Sequence, residues 1–144
     1  MIVIEEVAPD DWPRWKIVRL QALADAPDAF SSTYATWCNA GEERWRARLR
    51  DVAYNVIATH DGADVGLISA VDSDPVELIS LWVAPAVRGK GAGDALVRAV
   101  LAWGAPRATQ LNVYPDNAHA IALYRRNGFV ERGVVEGELV MVRA

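Results

Sequence analysis

Glu77-Leu78-Ile79-Ser80-Leu81-Trp82-Val83-Ala84-Pro85-Ala86-Val87-Arg88-Gly89-Lys90-Gly91-Ala92-Gly93 is the stretch on which the reading of this chain turns. Its apolar first half predicts a strand over residues 76–84, stopped by Pro85. A glycine-rich basic turn follows, then an amphipathic helix from about Gly91 to Trp103 with Leu96, Val100 and Trp103 on one face. A strand feeding such a turn aims several backbone N–H groups at one spot, and the helix dipole adds about half a positive charge there. Backbone without a Cβ lets a phosphate approach closely, and Arg88 and Lys90 add full charges. The segment reads as a phosphate or pyrophosphate cradle. A Walker loop would need glycine at 84, where Ala84 stands, and Ser or Thr after Lys90. A dinucleotide fingerprint starting at Gly89 would need glycine at 94, where Asp94 stands.

Composition narrows the classes further. The 144 residues carry a formal charge of −4, with 52% hydrophobic and 24% charged side chains. That length predicts one domain, residues 1–144, with enough core to fold without staples. A lone cysteine, Cys38, excludes an internal disulfide and a multi-thiolate metal site, and two histidines, His60 and His119, argue against a histidine-rich one; no metal is expected. Net acidity argues against general nucleic-acid binding. No apolar run approaches a membrane span, and the start lacks a signal-peptide pattern, so a cytoplasmic protein is expected. Residues 1–72 hold 12 acidic and 7 basic side chains, against 7 and 8 in residues 73–144. The acidic first half suggests a cationic acceptor.

Working outward, Ile2 to Val7 reads as a strand. Asp10 or Asp11 with Pro13 opens a helix to about Ala24 that carries Trp15, Val18 and Ala22. Asn39 with Glu42 resembles a capping box for a second helix, with Trp45, Leu49 and Val52 on one face. Arg44, Arg46, Arg48 and Arg50 read as its solvated face. Residues 54–60 and 64–71 read as a hairpin about Asp61-Gly62. Asp94 and Arg98 are spaced for a helical ion pair. Gln110 to Val113 is a short strand, Asp116 or Asn117 caps a helix ending at Asn127-Gly128, and strands over about 129–134 and 138–143 close the chain. The order β-α-α-β-β-β-α-β-α-β-β predicts an α+β fold in layers rather than a doubly wound parallel sheet.

Two blocks carry a family resemblance. Leu81-Trp82-Val83-Ala84-Pro85 with Arg88, Gly91 and Gly93 resembles the acetyl-CoA-binding motif of the GCN5-related N-acetyltransferase (GNAT) family. Leu111-Asn112-Val113, Asn117, Ala120, Leu123-Tyr124 and Asn127-Gly128-Phe129 resemble the family's next motif. The resemblance implies a mixed, mostly antiparallel twisted sheet of about 6–7 strands with helices on both faces, splayed between 76–84 and 110–113. The pantetheine arm of acetyl-CoA would lie in that splay. It would pair with backbone at Leu81 and Val83, in the run through Trp82. Amides from Arg88 through Gly89, Lys90, Gly91, Ala92 and Gly93 would hold the pyrophosphate, and Asn117 would meet the arm.

The implied activity is acetyl transfer from acetyl-CoA to a primary amine of a small molecule or a peptide N-terminus, directly within a ternary complex. The second block also looks like ribosomal-protein N-terminal acetyltransferases. A non-catalytic acyl-CoA-binding module on the same fold is the alternative. By resemblance Tyr124 is the general acid at the cofactor sulfur, although without the flanking motif its residue type favours a core aromatic beside Ile121. Glu77 is the candidate general base, and the Val83 amide the oxyanion donor. An acid inside an apolar strand is costly unless paired or exposed, and an exposed edge is the other reading of Glu77. Phe30 and Tyr34, within a segment that includes Ser31, Ser32 and Trp37, are candidate acceptor-pocket residues, with Ser80 a further contact. His119, His60 and Cys38 read as incidental. A homodimer is compatible with the resemblance.

Overall fold

The computed structural model describes residues 1–144. Seven strands form one sheet: β1 (Ile2–Glu6), β2 (Tyr54–His60), β3 (Ala63–Val71), β4 (Val76–Val83), β5 (Thr109–Val113), β6 (Val130–Val135) and β7 (Glu138–Arg143). Their spatial order is β1-β2-β3-β4-β5-β7-β6. Every neighbouring pair is antiparallel except β4 and β5, which run parallel and join only at Val76–Thr109 and Glu77–Gln110. Five helices decorate it: α1 (Trp12–Asp25), α2 (Tyr34–Trp37), α3 (Glu42–Asp51), α4 (Ala92–Gly104) and α5 (Ala118–Arg126). The α+β class and the splayed mixed sheet are as expected from the sequence.

Side-chain alternation on the strands divides the core. On β2, Val56 and Ala58 face α4 and α5 and join Leu96, Val97, Val100, Ile121 and Tyr124. Ile57 faces the other way, into Trp15, Val18, Ala22, Trp45 and Leu49 of α1 and α3. Period-2 strands between period-3.6 helices thus bury both faces of the central sheet. The hairpin turns follow from local chemistry. Asp61 and Gly62 have φ of 51° and 83°, and Glu136 and Gly137 have 51° and 82°. Two consecutive positive φ values mark the I′ turn, whose twist matches that of the strands it joins.

Several local expectations are corrected. Asn39 does not cap α3. The chain turns through Ala40, whose N–H donates to the Trp37 carbonyl, and Gly41 becomes the N-cap. Asp94 pairs not with Arg98 but with Arg126 and Asn127 of α5, so it ties two helices together instead of decorating one. Arg44 and Arg50 are exposed and Arg46 is paired with Asp10 and Glu42, but Arg48 turns inward beneath the sheet. The short α2 was not foreseen.

Gly66 lies on β3 opposite Val83, at the far end of β4 from its pairing with β5. A Cβ there would lie 2.7 Å from the Trp82 carbonyl oxygen of β4 and 3.2 Å from the Leu96 side chain. The backbone contact cannot relax without shifting β4. Gly66→Ala is therefore expected to destabilise the protein by ~1–3 kcal/mol, read from urea unfolding. Wild-type stability would mean that β4 is free to move.

Candidate active site

The site is built by a divergence. After Glu77 the two parallel strands separate, and Ile121 and Tyr124 of α5 pack into the core on the α4 side of the sheet. A bulge in β4 accompanies the separation: pairing with β3 shifts register between Leu67 and Ser69, and Ser80 sits in the left-handed region at φ 64°. Antiparallel alternation then sets the exposed edge. Ala84 N–H donates to the Val65 carbonyl on β3 at 2.7 Å, so the neighbouring Val83 amide points to the opposite edge, into the splay. The Val83 carbonyl accepts from Arg88 Nε at 3.1 Å.

A cleft of about 480 Å³ occupies the splay. Glu77 and Leu78 to Leu81 of β4 form one wall. Asn112, Val113 and Tyr114, with Asn117, Ala120 and Tyr124 of α5, form the other. Phe30, Ser31 and Ser32 close one end together with Arg19 of α1 and Arg48 of α3, and Glu138 of β7 adds a carboxylate. Glu77 is exposed at the cleft and Leu78 is buried, so the carboxylate in the apolar run is solvated, not desolvated.

Tyr124 is held by the end of its helix. Phe129 N–H donates to the Tyr124 carbonyl and Gly128 N–H to that of Arg125, both at 3.0 Å, with Gly128 at φ 91°. This Schellman closure returns the Phe129 ring edge-on to Tyr124, with centroids 5.7 Å apart. Tyr124 is only 6% exposed, and burial pushes its phenol well above the ordinary value of 10.0. At neutral pH it is a proton donor. Asn117 lines the cleft and caps α5, its Oδ1 accepting from Ala120 N–H at 3.2 Å.

The glycine turn lies beyond the end of β4. Gly89 and Gly91 have φ of 82° and 89°, a region costly for other residues. A Cβ on either would meet no atom within 4 Å, so what these glycines supply is conformation and open space, not relief from a protein clash. Arg88 and Lys90 amides donate within the turn to Pro85 and Val87, each at 3.3 Å. The first bond of α4 itself runs from Ala95 N–H to Gly91. Ala92, Gly93 and Asp94 amides, at the first turn, have no acceptor inside the helix. An anion at this turn would thus meet the amides of the helix start, whereas those of Arg88 and Lys90 are already committed.

Three side chains expected at the site are placed elsewhere. Tyr34 is 46% exposed and does not line the cleft. Trp82 is buried in the α1/α3 core, leaving only its backbone for the splay. Arg88 does not offer a free charge, because its Nη2 donates to Asp25 at 2.8 Å. Asp25 also accepts from Trp82 Nε1 at 2.9 Å. That carboxylate fastens the end of α1 to β4 and to the turn after it. Trp37 lies against Trp45 with Arg44 over its ring and is packing, not pocket. His119 is exposed.

Arg19 and Arg48 were missed. Arg19 stands four residues after Trp15, on the stripe that also carries Val18 and Ala22. Arg48 stands three after Trp45, beside Leu49. Their position on the apolar face was the available signal. Burial lowers both guanidinium groups to about 10, and for Arg19 the Arg48 charge adds to the effect. Both remain charged at neutral pH. They also answer the cationic-acceptor expectation. The acidic residues of the first half sit elsewhere, as in the Glu5–Arg14–Asp64 cluster, and what that half contributes to the cleft is positive.

The model of the acetyltransferase (GNAT) family matches residues 15–129. An uncharacterized N-acetyltransferase of Mycobacterium tuberculosis is 36% identical over 121 residues, 73% of this chain and 76% of that protein. An uncharacterized N-acetyltransferase of Methanocaldococcus jannaschii is 36% identical over 84 residues, 56% of this chain. The chain spans 37% of that archaeal relative's length. Among solved structures, the PaiA N-acetyltransferase of Thermoplasma acidophilum in complex with coenzyme A superposes with a TM-score of 0.77 at 17% identity, over 99% of this chain and 98% of that one.

Asp25→Ala would leave the nearly buried Trp82 indole N–H without its acceptor and release Arg88. It is expected to cost ~1–3 kcal/mol, seen as an earlier urea midpoint with Trp82 fluorescence shifted. An unchanged midpoint would remove the clasp from this account.

Proposed function

Since the chain belongs to the acetyltransferase (GNAT) family, we propose that it transfers an acetyl group from acetyl-CoA to a primary amine, directly within a ternary complex. The observation that carries this reading is one cleft, opened by the β4–β5 divergence, with a buried phenol on one wall and a solvated carboxylate on the other, and a left-handed glycine turn beyond the end of β4. Residues of this cleft and turn fit the cosubstrate. The unpaired edge of β4 near Leu81 and Val83 suits an extended amide-bearing arm, and Asn117 lines the same cleft. Amides at the start of α4 suit a pyrophosphate, with Gly89 and Gly91 giving the turn its shape. Lys90 adds a mobile charge there, whereas Arg88 acts through its hold on the Val83 carbonyl and Asp25.

Acetyl-CoA supplies an activated thioester. The chain's residues supply the rest. Glu77 accepts the proton that the ammonium must lose before nitrogen has a lone pair, through water. The nitrogen then bonds to the acetyl carbon, and the Val83 N–H donates to the carbonyl oxygen as negative charge develops. As the carbon–sulfur bond breaks, Tyr124 gives its phenolic proton to the sulfur. As the intermediate collapses the nitrogen sheds a second proton, which restores the Tyr124 phenol by way of solvent, while the first leaves Glu77 for water; the net products are an amide, free coenzyme A and one proton. Ser80, at the bulge, contacts the acceptor or a water. The acceptor is a small molecule or a peptide N-terminus.

Tyr124→Phe keeps the ring packed on Phe129, so acetyl-CoA affinity is expected to stay unchanged while kcat falls by ~10²–10⁴. A general acid must be protonated, and burial raises this phenol, so the wild-type rate is expected to show no loss from its ionisation up to pH 10. An undiminished kcat in the variant would discard the acid role. Acetyl-CoA binding with no thiol release for any amine would favour an acyl-CoA-binding module instead.

A further inference from the structure

Two guanidinium groups end in the cleft without a carboxylate between them. Arg19 is 8% exposed, and its Nη1 is buried with no hydrogen-bond partner. The Phe30 ring lies 4.6 Å from its guanidinium carbon. Arg48 is bonded, but to neutral groups: Asn55 Oδ1 at 2.9 Å, Ser69 Oγ at 3.1 Å and Ser80 Oγ at 3.4 Å. Elsewhere the chain pairs its partly buried arginines carefully, as Arg14 does with Glu5 and Asp64. Burying two like charges side by side lowers stability unless something compensates them. An orphaned N–H on a residue that lines a ligand-sized cleft marks a place for that something to bind.

We propose that Arg19 and Arg48 form a carboxylate-binding subsite for the acceptor, and that the acceptor is a small free amino acid. This rests on the acetyl transfer proposed above and names its substrate class. The cleft's charge is polarised to suit a zwitterion. Glu77 and Glu138 are the carboxylates that line it, and they favour an ammonium. The two guanidinium groups, with the Ser80 hydroxyl on the bulge between them and β4, favour the carboxylate. A planar guanidinium donates two parallel N–H groups to one carboxylate, and the free Nη1 of Arg19 gives a donor that no protein atom uses. The left-handed Ser80 acquires a purpose in the same arrangement. The bulge turns its hydroxyl toward Arg48, so the β4 wall and the subsite are tied together.

The test compares free amino acids with their α-amides, by calorimetric titration into the protein saturated with coenzyme A and by KM in thiol-release assays. The amides keep the amine and lose the carboxylate. Wild type is expected to prefer the acids by at least ~10-fold. Arg19→Met, close in volume and without charge, is expected to reduce that preference below ~3-fold while leaving acetyl-CoA affinity intact, and Arg19→Lys to retain part of it. Because Met relieves an unpaired buried charge, ligand-free Arg19→Met is expected to melt at a higher temperature than wild type. Equal handling of acids and amides by wild type overturns the subsite, as does a preference that survives in Arg19→Met. A lowered melting temperature in that variant would assign Arg19 to packing and overturn it too. Peptides with neutral N-terminal residues outcompeting free amino acids would put the acceptor in another class. Failure to bind acetyl-CoA would defeat the acetyl-transfer reading, whereas the acid-over-amide titration without coenzyme A judges the subsite by itself.

Discussion

Everything at the functional end of this protein depends on β4 and β5 pairing twice and then parting. Parallel neighbours in a sheet normally stay bonded along their length, since an unpaired buried edge leaves N–H and C=O groups without partners. Here only Val76–Thr109 and Glu77–Gln110 are joined, and the edges beyond them face a cleft. Such an arrangement persists when surrounding structure enforces it. Three features accompany the separation here: Ile121 and Tyr124 of α5 packed in the core, the bulge in β4 at Ser80, and the close approach of Gly66 of β3 to the Trp82 carbonyl. An extended amide-bearing ligand lying there would complete the hydrogen bonding that β5 withholds.

The same geometry explains why side chains far apart in sequence share a site. Tyr124 arrives because a Schellman closure at Asn127-Gly128 fixes the last turn of α5 against Phe129. Glu77 arrives because it occupies the last paired position before the strands separate. The glycine turn is positioned by Asp25, which grips Trp82 and Arg88 together. That clasp links α1, and with it Arg19, to the turn at the head of α4. Asp94, bonded to Arg126 and Asn127, links α4 to α5 in the same way.

Much of this was legible in the sequence, and the exceptions share a cause. Strands, hairpins and helix stops follow local rules, so the Asp61-Gly62 turn, the 76–84 strand and the Asn127-Gly128 stop could be read within a residue or two. Glu77 and Tyr124 were legible as candidates because motifs fix them relative to their own strand or helix. Arg19 and Arg48 were not, because charge was read as exposure, although each stands on the apolar stripe of its helix. Tyr34 was misjudged for the converse reason. Residue type suggested a pocket, while the direction of its side chain sends it to solvent. The free charge expected of Arg88 disappears through Asp25, a partner 63 residues away, and no local rule could supply it.

The central claim is that the splay and the turn at the start of α4 together form a site for acetyl-CoA. Calorimetric titration of the wild-type protein with acetyl-CoA, with ATP as the control ligand, tests it most directly. The account predicts one-to-one binding of acetyl-CoA and none of comparable strength for ATP, whose triphosphate could meet the turn but whose body offers nothing to pair with the β4 edge. Absence of acetyl-CoA binding by the folded protein, or equal binding of ATP, would contradict it.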